Sequence, residues 1–247
     1  MSDLKGNFAE KIDIGKVRKT NEDRSLAIVN AGGDVLLAVC DGMGGDHKGD
    51  LAASLTIETI DELFVKVQKF KTTWDAKKFI KKCFKVANKV VYSEGHTHDM
   101  YKDMGTCVSI AIITGDFLVI GSMGDTRVYR LGDSDLQQLT SDHTLAMREY
   151  RMGRITLEDV ETSKNRHILT NALGIHRIPA CDIFEFDYKG ESILVCSDGL
   201  YNNVSKAQLV SILKGTDNTA QKINQLIDLA NTNGGSDNIA AVLWESK

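Results

Sequence analysis

The chain has 247 residues, 42% of them hydrophobic and 26% charged, with a formal charge of −4 at pH 7. This composition excludes a disordered polymer, and the acidic balance, without any Lys/Arg cluster interleaved with aromatics, excludes a dedicated nucleic-acid binder. No stretch of about 18 apolar residues and no apolar leader occurs, which predicts a cytoplasmic protein without membrane contact. A lone proline, Pro179, and the lack of any Ser- or Gly-rich linker predict one domain over residues 1–247. The five cysteines, Cys40, Cys83, Cys107, Cys181 and Cys196, form no Cys-x-x-Cys pair, and Cys40 and Cys196 read as small core residues.

In chain order, Arg24 to Val29 and Asp34 to Cys40 read as strands joined by the turn-rich Asn30-Ala31-Gly32-Gly33. Helical periodicity follows over about Gly49 to Gln68 and, more regularly, over Asp75 to Glu94, where Phe79, Ile80, Cys83, Phe84, Ala87, Val90 and Val91 share one stripe. The lysines between Lys66 and Lys89 fall on the solvated side of that pattern. Met104 to Thr114, Phe117 to Ser122 and Arg127 to Leu131 read as three strands of an antiparallel meander, with turns at Gly115-Asp116 and Gly124-Asp125-Thr126. The turn reading is preferred for Asp125.

Ser141 to Asn171 is polar and mixed, with short helical pieces, as expected of a surface segment beside a site. Strands resume at Ile183 to Phe186 and Ile193 to Cys196, helices at Ser205 to Leu213 and Thr219 to Asn231, and a last strand at Asn238 to Trp244. Antiparallel groups with helices paired between them predict an α+β fold: two antiparallel sheets packed as a sandwich and flanked by helix pairs, four layers in the order αββα.

Four acids, Asp41, Asp103, Asp198 and Asp237, each lie within two residues of a glycine beside an apolar run. The clearest are Leu36-Leu37-Ala38-Val39-Cys40-Asp41-Gly42 and Ile193-Leu194-Val195-Cys196-Ser197-Asp198-Gly199. A strand end presents a carboxylate rigidly, and an all-oxygen set suits Mn²⁺ or Mg²⁺. The six histidines show no His-Glu-x-x-His spacing, so a zinc hydrolase fits poorly.

Seven pieces occur in a fixed order: Gly15-Lys16-Val17-Arg18-Lys19-Thr20-Asn21-Glu22-Asp23, Val39-Cys40-Asp41-Gly42-Met43-Gly44-Gly45, Asp103-Met104-Gly105-Thr106, Gly124-Asp125-Thr126-Arg127, Leu139-Thr140-Ser141-Asp142-His143, Cys196-Ser197-Asp198-Gly199-Leu200 and Gly234-Gly235-Ser236-Asp237-Asn238. From about Ile12 to Leu243 this resembles the metal-dependent type 2C serine/threonine protein phosphatases, particularly the bacterial branch. The resemblance implies hydrolysis of phosphoserine and phosphothreonine by a water activated between two Mn²⁺ or Mg²⁺ ions. It implies that Asp41 bridges the ions, that the Gly42 carbonyl binds one, and that Asp198 and Asp237 complete the other. Asp103, with Asp198, matches a weaker third site; Glu22 and Asp23 act through bound waters; Asn238 supports Asp237; Arg18 binds the phosphate. The implied partners are phosphoprotein substrates and, as functional opponent, a bacterial-type serine/threonine kinase.

The pattern also departs from the family. Met43 stands where eukaryotic relatives carry a histidine proposed as general acid, and methionine cannot donate a proton. Asp46-His47-Lys48 replaces a His-Ala-Ala, with His47 read as an exposed loop residue. Gly44 and Gly45 read as glycines that permit close backbone approach. Ser141 to Asn171 corresponds to the family's variable flap. Two other readings stay open: a catalytically silent scaffold, against which the intact acids argue, and an enzyme for small phosphate esters, for which no nucleotide-binding glycine motif is present.

Overall fold

The computed structural model describes residues 4–44, 48–97, 101, 103–132 and 135–247. Strands β1 (Gly6–Asp13), β2 (Asp23–Val29) and β3 (Val35–Met43) precede helices α1 (Lys48–Phe64) and α2 (Thr73–Thr97). Then come β4 (Gly105–Ile113), β5 (Phe117–Met123), β6 (Arg127–Leu131) and β7 (Leu136–Gln138), followed by α3 (Leu145–Arg151) and α4 (Leu157–Thr162). The chain closes with β8 (Asp182–Asp187), β9 (Ser192–Cys196), α5 (Asp198–Tyr201), α6 (Lys206–Leu213), α7 (Thr219–Thr232) and β10 (Ile239–Ser246).

These strands form two five-stranded antiparallel sheets, ordered β1-β10-β9-β6-β7 and β2-β3-β4-β5-β8. The unbroken apolar run of β3 follows from its place between layers. Leu36, Ala38 and Cys40 pack under α1 and α2, whereas Val35, Leu37 and Val39 meet Val128, Val195 and Val242 of the other sheet. On the far side, Leu194, Cys196 and Ala241 pack against Leu209, Ile223 and Leu226 of α6 and α7. The expected four-layer sandwich is thus formed. Among the described residues no helix is long and apolar enough to cross a membrane.

Three expectations are corrected. The spacing placed Val90 on the buried stripe of α2, but it is exposed, and α1 stops at Phe64 rather than near Gln68. The antiparallel meander is interrupted: β4 and β5 pair, but β6 lies in the other sheet, where Val128 faces Val195 of β9. The Gly124-Asp125-Thr126 segment is therefore a crossover between sheets. Gly124, at φ +100°, presses on Cys107, and Ser109 bonds both the carbonyl and the hydroxyl of Thr126 at 2.8 and 2.9 Å. Turn residues look alike in a hairpin and in a crossover, and only the partner that buries β6 distinguishes them.

Candidate active site

Acids from both sheets meet at one end of the sandwich. Asp23 opens β2 and stands directly across the ladder from Asp41, near the end of β3. Asp198 follows β9 at the start of α5, and Asp237 lies just before β10. The sheets are stitched there by Ser197, whose hydroxyl donates to Asp23 Oδ2 at 2.6 Å and accepts from the Ala240 amide at 2.8 Å. Glycine allows the close crossings: a Cβ on Gly199 would overlap the Asn238 carbonyl, and one on Gly42 would overlap Gly49 at the start of α1. Each Asp-Gly pair thus delivers its acid where a second backbone segment passes.

The cluster carries more negative charge than its surroundings compensate. Like charges opposite one another on a ladder are destabilising, and Asp23 and Asp41 stand in that relation. Burial raises Asp23 to about 7, with the Ser197 hydrogen bond and Arg24 opposing and the charge of Asp237 adding to the rise. Asp41 is pushed well above the carboxylate range by burial and then by the charges of Asp23, Asp198, Asp125 and Asp237. Asp198 rises to about 8 through burial and then Asp125, Asp237 and Asp23, with Arg18 opposing. Protons held this tightly mark a place that favours cations. Every candidate donor is an oxygen, a set that fits Mn²⁺ or Mg²⁺. Among the described residues no three acids stand as a ready cage for one ion. Both oxygens of Asp237 are engaged, Oδ2 by Arg18 at 2.7 Å and Oδ1 by the Asn238 amide at 2.8 Å.

Asn238 is the strut of the site. Its Oδ1 accepts from the Glu22 amide, and its Nδ2 donates to the carbonyls of Ile14 and Thr20, all at 2.9 Å. The segment carrying Arg18 is thereby laid across Asp237, and the Lys16 amide bonding to the Gly235 carbonyl at 2.8 Å ties it again. Burial works against the charge of Arg18, but its hydrogen bond and attraction to Asp237 raise it further. The half-exposed guanidinium guards the mouth of the cluster. Glu22 points to the Gly49 amide of α1 at 3.2 Å, while its carbonyl accepts from Gly42 at 3.1 Å.

Of the expected ligands, Asp41, Gly42, Asp198 and Asp237 converge. Asp103 is exposed on a turn before β4 at φ +65°, and it is not among the charges that bear most on Asp41 or Asp198. Gly45 and His47 lie outside the described residues. Asp125, read from sequence as a turn residue, is buried and faces the cluster: burial raises its pKa, and its charge ranks among those acting on Asp41 and Asp198. Sequence reading passed over Ser197. The signal for both was local: Gly124-Asp125 mirrors the Asp-Gly pairs after an apolar strand, and Ser197 touches Asp198 in the chain.

The polar segment forms α3 and α4 over the site's flank, with Thr144 and Thr156 as N-caps. His143 fastens its base. Its Nδ1 accepts from the Gly124 amide at 3.2 Å and Asn171 Nδ2 at 3.0 Å, so the ring proton is on Nε2 and is donated to Asp182 at 3.0 Å. Between this flap and α5 lies a cleft of about 390 Å³, lined in part by Arg166, His167 and Asn202.

The sequence profile described as protein phosphatase 2C matches residues 16–243. The chain belongs to the protein phosphatase 2C family. It is 32% identical to the serine/threonine phosphatase stp of Listeria monocytogenes over 95% of this chain and 94% of that one. The crystal structure of Stp1 from Staphylococcus aureus superposes with a TM-score of 0.92 at 26% identity, covering 100% of this chain and 98% of that one. The catalytic domain of the phosphatase PstP in complex with two manganese ions superposes with a TM-score of 0.85 at 28% identity, covering 98% of this chain and 99% of that one. The two-sheet fold described above is therefore shared with these phosphatases.

Proposed function

We infer that this chain is a manganese- or magnesium-dependent protein serine/threonine phosphatase that hydrolyses phosphoserine and phosphothreonine. The observation that carries it is the convergence of Asp23, Asp41, Asp198 and Asp237 from two sheets, with raised proton affinity at the first three. Asp41, the Gly42 carbonyl, Asp198 and Asp237 would hold two ions, and Asp103 with Asp198 a weaker third. A bound ion pair supplies an acidified water and neutralises charge on the phosphate.

The chain's own residues do the rest. Arg18 offers a planar fork to the equatorial phosphate oxygens, exchanging its contact with Asp237 for the substrate. Asn238 keeps that fork in place, and Ser197 holds Asp23 against Asp41. Asp125 fixes the charge at the back of the cluster. The cleft beside α5 offers Arg166 and Asn202 to the polypeptide flanking the phosphorylated residue. The functional opponent is a bacterial-type serine/threonine kinase.

Purified protein should release phosphate from a phosphothreonine peptide with Mn²⁺ and cease with EDTA. Equal turnover after exhaustive chelation would exclude this reading.

A further inference from the structure

Away from the acids, a groove of about 760 Å³ runs between the outer face of α2 and residues 177–181. Phe84 and Pro179 contribute to its apolar lining, and Ile178 stands 81% exposed in its wall. Its edges are cationic. Lys81, Lys85 and Lys89 recur every four residues along α2, about 6 Å apart along the axis, and Arg177 faces them. Four positive groups gathered in a chain of net charge −4 form a local reversal of sign. The neighbouring acids have other cations: Asp182 pairs with Arg151 at 3.8 Å and Glu185 with Lys77 at 2.6 Å.

The groove is built in advance. Asn88, 1% exposed on α2, donates to the carbonyls of His176 at 2.9 Å and Arg177 at 3.4 Å, and its Oδ1 accepts from the Gly174 amide at 2.9 Å. These bonds hold the loop wall against the helix, so an occupant need not order it.

We propose that this groove docks an extended acidic segment of a partner protein, with carboxylates along the Lys81–Lys85–Lys89 row and an apolar side chain beside Ile178. Alternate residues of an extended chain lie about 6.6–6.8 Å apart, close to the lysine spacing. A concave trough between helix and loop suits a strand-like peptide better than a flat lipid surface. The proposal is independent of the phosphatase reading, because it is tested by binding alone.

The probe is a fluorescein-labelled peptide alternating glutamate and leucine, followed by anisotropy with the full chain. Binding should be saturable and weaken with salt. It should fall about tenfold or more in Lys85→Glu/Lys89→Glu and severalfold in Ile178→Ser, with hydrolysis of p-nitrophenyl phosphate unchanged in both. Replacing the leucines by serine should weaken the peptide as well. Absence of binding, or equal affinity in the charge-reversed variant, overturns the proposal. So does retention on phosphatidylglycerol vesicles that the peptide does not relieve, which would assign the groove to a lipid surface.

Discussion

The two ends of β10 treat buried charge in opposite ways. At its far end Glu245 accepts from Lys222 at 2.6 Å and Thr219 at 2.7 Å, and Lys222 also donates to the Leu213 carbonyl at 2.8 Å. Every charge there has its counter-charge. At the near end, Asp237 joins Asp23, Asp41, Asp125 and Asp198, with Arg18 as the one cation among the groups that bear most on Asp198. A satisfied pair contributes to the fold, whereas an excess of one sign costs stability and reserves the place for a ligand of the other sign.

The largest effect should come from removing one of the excess charges. Asp41→Asn should lower turnover of a phosphothreonine peptide roughly a thousandfold or more. The same change should raise the melting temperature of the metal-free protein by about 2–4 °C, worth about 1 kcal/mol, because repulsion is relieved. Retained turnover, or a lowered melting temperature, would break the contrast between the two ends.

Next, Lys222→Met leaves Glu245 without its cation and should cost about 3 kcal/mol in urea unfolding, with turnover per folded molecule unchanged. A loss of turnover without loss of stability would mean that this end also serves the reaction. Arg18→Ala should lower kcat/KM about 10- to 100-fold, the value of a charge-assisted contact, and Arg18→Lys should recover only part of it because lysine lacks the fork.

The smallest effect concerns pH. Asp23 and Asp198 keep their protons up to about 7 and about 8 in the fold, against an ordinary value of 3.8. Folded pKa values above the unfolded ones mean that stability is full below about pH 4 and is lost as pH rises through 7 to 8. Mn²⁺ takes the role of those protons, so the rise in melting temperature on adding Mn²⁺ should be greater at pH 8 than at pH 5.5. An equal rise at both would detach ion binding from these carboxyls.

Much of this was legible in the chain. Apolar runs ending in Asp41-Gly42 and Ser197-Asp198-Gly199 announced strands that deliver acids, because a strand buried on both faces must be continuously apolar and a glycine must follow where backbones cross. The helical stripes of α1 and α2 were equally plain, since burial on one face imposes a 3.6-residue period. Strand β1 was missed: its half-exposed Gly-Asn-Phe-Ala-Glu-Lys-Ile-Asp carries a weaker alternation and depends on pairing with β10.

Local pattern therefore determined which segments are strands or helices and which acids could be ligands, for these depend on neighbours within a few residues. Only the tertiary structure decided that β6 leaves its hairpin for the other sheet, that Asp125 turns inward, that Ser197 bridges to Asp23 and that Asn238 carries the Arg18 segment. Those choices join residues as many as 224 positions apart, as in the Asn238–Ile14 bond. They are set by which distant surfaces can bury one another while leaving nearly all buried polar groups a partner, and residue order alone does not encode that in any local period.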